Sequence, residues 1–166
     1  VSRAQEDMNI HILIEAYANV SDRKLVVISN WNTSDYGRKL YEKNFNKYEN
    51  IYLIDAIYDK EKLAALRRNA SLYLHSHSLC GTAPSLVEAM NLSLPVVAFD
   101  VPANRATTED KAFYFDTKDE LISIIQNCSD YELSQNSNSM KEIATRRYRW
   151  DRISSLYKSC LRDHNN

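Results

Sequence analysis

Glycine is nearly absent: Gly37 and Gly81 are the only two in 166 residues. Neither a Gly-x-Gly-x-x-Gly turn nor a Walker loop can be built from them, which disfavours a nicotinamide enzyme or a P-loop nucleotidase. Cysteine is scarce and scattered. Cys80, Cys128 and Cys160 form no Cys-x-x-Cys pair, so a disulfide scaffold and a structural zinc site are both disfavoured and a reducing compartment fits. No apolar run approaches the roughly 20 residues that cross a bilayer. Charge of one sign is also lacking. At a net charge of −1, no global field draws the chain to nucleic acid or to anionic lipid. No Ser-His-Asp order, His-Glu-x-x-His motif or paired-carboxylate arrangement stands out. Val1-Ser2-Arg3 reads as the end of a strand and not as a signal peptide, the mark of a fragment cut at a domain boundary.

What the chain does have is alternation. Apolar runs of strand length fall at Lys24–Ser29, Ile51–Ile54, Leu72–His75, Pro95–Phe99 and Ala112–Phe115. Between them lie amphipathic stretches of helix length: Ile10–Ala18, Ser34–Tyr48 capped by Ser34 or Asp35, Asp59–Asn69 with Leu63 and Leu66 inward, Pro84–Leu92, and Thr117–Asn127 with Leu121, Ile124 and Ile125 inward. Strands joined through helices predict right-handed crossovers and an α/β fold: one parallel sheet with helices on both faces. LVVIS and PVVAF are apolar throughout, as buried parallel strands are. Tyr131–Asn138 is polar and reads as a surface loop or weak helix. Met140–Leu161 reads as helix with a break near Trp150-Asp151. Its Tyr148, Trp150, Ile153, Leu156 and Tyr157 form a face that packs on the domain's own edge or on a second domain. Residues 1–166 are therefore a single domain, with a core to about 130 and a C-terminal helical tail over 131–166.

Ligands of such sheets sit at the carboxyl ends of the strands. The richest such end is LYLHSHSLCGTAPSLVEAMNLSLPVVAFD, Leu72 to Asp100. It reads strand, glycine loop, helix, strand. A helix that starts just after a strand aims free N–H groups at that edge, where they bind anions and phosphate above all. Gly81, Thr82 and Ser85 surround the start, and Pro84 at the first helical position is also ordinary helix-start chemistry. Glu88 follows Ser85 at capping-box spacing, or it is a carboxylate for ribose hydroxyls. His75 and His77 point to one face. Hydrogen bonding in a pocket suits them, since no third metal ligand is evident nearby. Arg3, at the end of the first strand, can grip a diphosphate or lie on the surface. Asn104 and Arg105 follow the strand PVVAFD in the next loop and so reach the same edge. Tyr58 offers an aromatic face to a base, although a loop before the Asp59 cap explains it equally.

Taken together, LYLHSHSLCGTAPSLVEAM, then LPVVAFDVPANRATTEDKAFYF, after SRAQEDMNIHILIEAY, KLVVISNW and IDAIYDKEKLAALRRNA, resemble the C-terminal donor-binding domain of GT-B glycosyltransferases of family 4, group 1, and more narrowly the rhamnosyltransferase-type subgroup. The resemblance runs through about the first 130 residues. It implies a Rossmann-like half of a GT-B fold, binding a nucleoside-diphosphate sugar, dTDP-rhamnose in this subgroup, for retaining transfer in bacterial surface polysaccharide synthesis. It implies no metal or other cofactor, and work in the cytoplasm or at the inner membrane face. Glu88 would be the second glutamate of the Glu-x7-Glu motif and hold the ribose. Gly81, Thr82 and the helix start would hold the diphosphate with Arg3, and Asn104 and Arg105 would lie near the sugar or phosphate. The acceptor, a glycan or lipid-linked glycan, and the catalytic residues would belong to an absent N-terminal domain. Four positions depart from the pattern: Cys80 stands at the first motif glutamate, Met8 at a lysine, Ser2 at a glycine and Ala83 at an asparagine. A non-catalytic module of the same fold is the alternative. A different α/β nucleotide enzyme would need a lysine anchor or a glycine fingerprint, and neither is evident.

Overall fold

The computed structural model describes residues 2–20 and 22–163, with Leu156 and residues 159–163 through their backbone alone. Five short strands, β1 (Leu25–Ser29), β2 (Ile51–Asp55), β3 (Tyr73–His75), β4 (Val96–Phe99) and β5 (Phe113–Phe115), pair in parallel. They alternate with α1 (Ile10–Tyr17), α2 (Asp35–Asn44), α3 (Lys60–Arg68), α4 (Pro84–Asn91), α5 (Pro102–Thr108) and α6 (Lys118–Asn127). Two further helices, α7 (Asp130–Arg147) and α8 (Trp150–Asp163), close the chain. The α/β expectation holds, with one unexpected feature. The strands form two groups, β1–β2 and β3–β4–β5, and β1 does not bond to β3.

Two apolar clusters form, and they cut across the two groups, since the first holds Val97 of β4 and Phe115 of β5 with Val27 of β1 and Leu53 of β2. One gathers Ile10, Ile14 and Tyr17 of α1, Val27 of β1 and Leu121 and Ile125 of α6 around Trp31 and Phe115. The other gathers Leu86 and Met90 of α4, Val96 and Ala98 of β4 and Met140 and Ile143 of α7. The Asn50 carboxamide ties the turn after α1 to β2, donating to the carbonyls of Tyr17 and Val20 at 2.9 and 2.7 Å.

Local chemistry sets the helix ends. Ser34 caps α2 by accepting from Gly37 N–H, and Asp59 caps α3 by accepting from Glu61 and Lys62. Gly37 is dictated by packing: a Cβ there would lie 2.8 Å from Ala4 Cβ and closer still to the Trp31 carbonyl. With so little glycine, the left-handed turns fall to Asn9, Asn46, Ser93, Glu109 and Asp110. Helix α2 stops at Asn44, four residues short of the expected Tyr48, because the chain leaves helical geometry at Phe45 and turns left-handed at Asn46.

Three expectations need correction. Tyr131–Asn138 is neither loop nor weak helix. It lies inside the 18-residue α7, started by a reciprocal capping box in which Ser129 Oγ accepts from Glu132 N–H and the Glu132 carboxylate accepts from Ser129 N–H. That two-way cap and burial of Met140, Ile143 and Ala144 against α4 outweigh the polar composition. Asn104 and Arg105 are not in a loop but on α5, a helix of about two turns with Pro102 in its first turn. Leu63 is only half-buried and Leu66 is 41% exposed, and α3 buries no residue fully. The final break falls at Tyr148-Arg149. Tyr148 packs on the domain, its hydroxyl donating to the Thr107 carbonyl at 3.1 Å, whereas Trp150 and Tyr157 are exposed. Val1, the side chains of Leu156 and Cys160, and residues 164–166 lie outside the described residues.

Candidate functional site

The loop from Ser76 to Ala83 leaves the carboxyl end of β3 and is tied on two sides. On one side it meets the turn before α1: Ser76 Oγ donates to the Met8 carbonyl, Asn9 Nδ2 donates to the Ser76 carbonyl at 3.0 Å, and Ser78 N–H donates to the Asp7 carbonyl at 2.9 Å. On the other it meets α5, through the fully buried Asn104. The Asn104 amide donates to the carbonyls of His77 (3.0 Å) and Phe99 (2.9 Å). Beyond the loop α4 begins at Pro84, with Ala83 as its N-cap. Alanine cannot accept a hydrogen bond through its side chain, so the helix start is uncapped and the Ser85 N–H has no acceptor among the described residues. Gly81 and Thr82 are exposed in front of it, and nothing lies within 4 Å of where a Gly81 Cβ would be. This is a rigid loop with open space over a bare helix N-terminus, the arrangement that receives an anion.

Behind the loop stand the histidines. His75 is fully buried and burial lowers its pKa to about 3, with His77 adding to the effect. Its Nδ1 has no partner among the described residues. His77 is half-buried and lowered to about 4, again chiefly by burial. Both are neutral at physiological pH, and their rings lie 4.2 Å apart. Cys80 Sγ comes within 3.8 Å of His75 Nε2, and burial pushes its thiol pKa up. One ligand atom from each of His75, His77 and Cys80 falls within 4.8 Å of the others. The loop thus supplies in space the third ligand that was not evident in sequence, and the trio could hold a thiophilic cation with one position open.

The charged candidates are held more tightly than their sequence positions imply. Glu88 forms no capping box, because the N-cap is Ala83 and not Ser85. Its carboxylate instead accepts from Arg67 of α3 at 2.6 Å. Arg67 is mostly buried, with its Nε unpartnered. It was missed in sequence because nothing about a helix-end arginine 21 positions earlier points to Glu88. Ser85 lies beside the buried Tyr73 hydroxyl, whose pKa burial raises to about 12. Arg105 points its fork at Asp100 (2.5 and 2.7 Å), also meets Asp110 (3.1 Å), and stacks 4.1 Å over the Tyr114 ring. Those carboxylates raise its pKa above the ordinary arginine range. Arg3 is exposed and has no ion-pair partner among the described residues. Tyr58 is 82% exposed on the loop after β2, its hydroxyl 3.2 Å from Asn30 Oδ1. The structure therefore gathers His75, His77, Cys80 and Asn104 around one loop, with Gly81, Thr82, Ser85 and Glu88 at the helix that follows. Arg3, Tyr58 and Arg105 have no hydrogen bond or ion pair to that group.

Parallel strands, flanking helices, a tied loop at the β3 edge and a long final helix pair define the C-terminal half of a GT-B fold. The solved structures agree. HepE of Anabaena, in complex with UDP, superposes with a TM-score of 0.83 at 20% identity, covering 98% of this chain and 47% of that one. The C-terminal domain of the glycosyl transferase group 1 protein LpcC from Francisella tularensis gives 0.69 at 15% identity, covering 89% and 83%. A curated relative, glycosyltransferase 1 domain-containing protein 1 of Xenopus tropicalis, is 32% identical over 88 residues, which is 52% of this chain and 25% of that protein. Residues 1–147 match the family model for glycosyl transferases group 1, and the chain belongs to that family. It spans about half the length of HepE and a quarter of the Xenopus protein. No helix among the described residues is long and apolar enough to cross a membrane.

Proposed function

We propose that this chain is the donor-binding half of a retaining glycosyltransferase and takes a nucleoside-diphosphate sugar at the β3–α4 loop. The uncapped α4 N-terminus behind the open Gly81-Thr82 loop carries the reading. Family membership supports it, as do the complexes of HepE with UDP and with UDP-glucose. The Ser85 N–H, the loop amides and the Thr82 hydroxyl face the diphosphate, with the exposed Arg3 as a cationic partner. Their contribution to catalysis is electrostatic, stabilising charge on the departing diphosphate without a titrating protein group or a metal. Glu88 takes the ribose hydroxyls, sharing its carboxylate with Arg67. Asn104 acts on the donor indirectly by fixing the His77 end of the loop, and Arg105 reaches phosphate only by leaving Asp100. Tyr58 faces the base.

A separate N-terminal domain supplies the acceptor site and the remaining catalytic groups. The donor is a pyrimidine nucleotide sugar: the motif resemblance favours dTDP-rhamnose, for surface polysaccharide synthesis at the cytoplasmic side of the membrane, and HepE favours UDP. A non-catalytic module of the same fold is the second reading. It is favoured by Cys80 in place of the first motif glutamate and by the double carboxylate grip on Arg105.

Calorimetric titration with UDP, dTDP and GDP tests the proposal. One pyrimidine diphosphate should bind in the micromolar to millimolar range, and Glu88→Gln should weaken it by roughly 1–3 kcal/mol, the worth of a charged hydrogen bond. No binding by any of the three at millimolar concentration overturns the reading. Binding without transfer in the full-length parent selects the module.

A further inference from the structure

Burying an imidazole costs free energy unless its nitrogens find partners. His75 is fully buried, and neither of its ring nitrogens has a strong one. Nδ1 has no hydrogen bond among the described residues, and Nε2 meets only the Cys80 sulfur, at 3.8 Å. A thiol is a weak donor, so this contact returns little of the cost of desolvation. The burial asks for a stronger partner at the same place.

The fold brings two more ligating groups to that place. His75 ends β3, and the bonds from Ser76 Oγ to the Met8 carbonyl and from Asn9 Nδ2 to the Ser76 carbonyl hold the chain just beyond it. The His77 ring lies 4.2 Å from the His75 ring. Cys80 returns to the pair from the middle of the loop. A tetrahedral ion bound by sulfur at about 2.3 Å and by imidazole nitrogen at about 2.0–2.1 Å holds those two atoms about 3.6 Å apart. The observed 3.8 Å between Cys80 Sγ and His75 Nε2 is close to that spacing. Ligand atoms of all three residues already lie within 4.8 Å of one another. Closing them on one ion takes about 1 Å of side-chain movement, and His77 and Cys80 stand on a loop. Asp7 supplies the fitting sign of charge, acting on both His77 and Cys80.

The loop itself has a use for such a bond. It is tied at its two ends, but from Leu79 to Thr82 no main-chain group is hydrogen-bonded among the described residues. Within that stretch the Cys80 sulfur makes the only side-chain contacts of hydrogen-bond type, to His75 and, at 3.9 Å, to Asn104 Oδ1.

From this geometry we infer that His75, His77 and Cys80 form a zinc site that fastens the middle of the β3–α4 loop to the end of β3. Two imidazoles and a thiolate suit zinc, whereas magnesium and calcium take oxygen ligands. On binding, Cys80 gives its thiol proton to solvent, and the fourth position is left to solvent on the exposed side of the loop. The ion takes no part in the transfer proposed above, and the inference is independent of nucleotide binding.

The test uses the tag-free 166-residue chain, reduced and stripped of metal, titrated with Co²⁺ alone and then with Zn²⁺. Co²⁺ should give a sulfur-to-cobalt charge-transfer band and the visible bands of four-coordinate cobalt, saturating at one ion per chain, and Zn²⁺ should displace it. Cys80→Ser should abolish the charge-transfer band. Cys80→Ser and His77→Gln, each with the parent's circular dichroism, should both weaken Zn²⁺ by more than the roughly tenfold that even an outer hydrogen-bond partner of a ligand is worth. A Cys128→Ser/Cys160→Ser double variant should change neither reading. Zn²⁺ should also slow amide exchange over residues 79–82 by at least about tenfold. No charge-transfer band, a band that survives Cys80→Ser, or equal Zn²⁺ affinity in the parent and both loop variants overturns the inference. Bound Zn²⁺ that leaves exchange over residues 79–82 unchanged overturns it as well.

Discussion

Replacing Asn104 with alanine should unfasten the loop that carries the candidate site. The carboxamide is fully buried and makes two donor bonds, 3.0 Å to the His77 carbonyl and 2.9 Å to the Phe99 carbonyl. Each is worth about 1 kcal/mol net, and a carbonyl left buried without a partner costs about 1–3 kcal/mol. The Phe99 carbonyl keeps the Val101 N–H at 2.9 Å, so only the His77 carbonyl loses its partner; two lost bonds and one such carbonyl in a relaxing loop give a loss of roughly 2–4 kcal/mol, or about 5–15 °C in melting temperature for a domain of this size. Asn104→Asp is the sharper variant. It keeps the volume but turns an oxygen toward two carbonyl oxygens, so it should cost at least as much. Urea unfolding followed by circular dichroism gives the free energy, and hydrogen exchange over residues 77–82 reports the loop. If both variants unfold within about 0.5 kcal/mol of the parent, the carboxamide does not hold the loop and its placement at the centre of the site is wrong.

Three other outcomes follow from the same structure. His75 and His77 titrate near 6.5 when unfolded but at about 3 and 4 when folded. The unfolded chain therefore takes up protons first as pH falls: stability is whole above about pH 6.5 and drains toward pH 3–4. Urea midpoints from pH 8 to 4 should show this, and a His75→Gln/His77→Gln double variant should flatten the slope; an unchanged slope refutes the assignment. Ser93 is exposed with φ 57°, so Ser93→Gly should stabilise by about 0.5–1 kcal/mol, read in chemical denaturation, since relief of the left-handed penalty exceeds the added chain entropy. Helix propensity alone would make Gly37→Ala stabilising by about 1 kcal/mol. The contact with the Trp31 carbonyl and Ala4 should reverse that sign to a loss of roughly 1–3 kcal/mol, and a gain in the melting temperature would refute the packing argument.

Much of the architecture was legible because it rests on local chemistry. Apolar runs of four or five residues announce buried parallel strands, and Asp59 and Ser34 announce helix starts. The α7 helix was legible too, through Ser129-x-x-Glu132, but a Ser/Asn-rich stretch masked it where composition outweighed the cap. Helix α5 carried the same signal as α4, a proline just after an extended residue, and was overlooked for its shortness. What no local pattern could disclose were partnerships across the fold. Arg67 with Glu88, Asp100 and Asp110 with Arg105, and Cys80 with His75 are set by how helices and loops lie over the sheet. The break between β1 and β3 was likewise invisible, since each strand alone looks like a sheet member.

The bonds from Ser76, Ser78 and Asn9 join the turn before α1 to the loop after β3 along one rim of the molecule, while the strands beneath that rim stand apart. The rim therefore acts as a hem that stitches the start of α1 to the candidate loop. A ligand that draws the β3–α4 loop inward therefore pulls on α1 through Asp7, Met8 and Asn9, so occupation of the loop should be felt at the amino end of the domain.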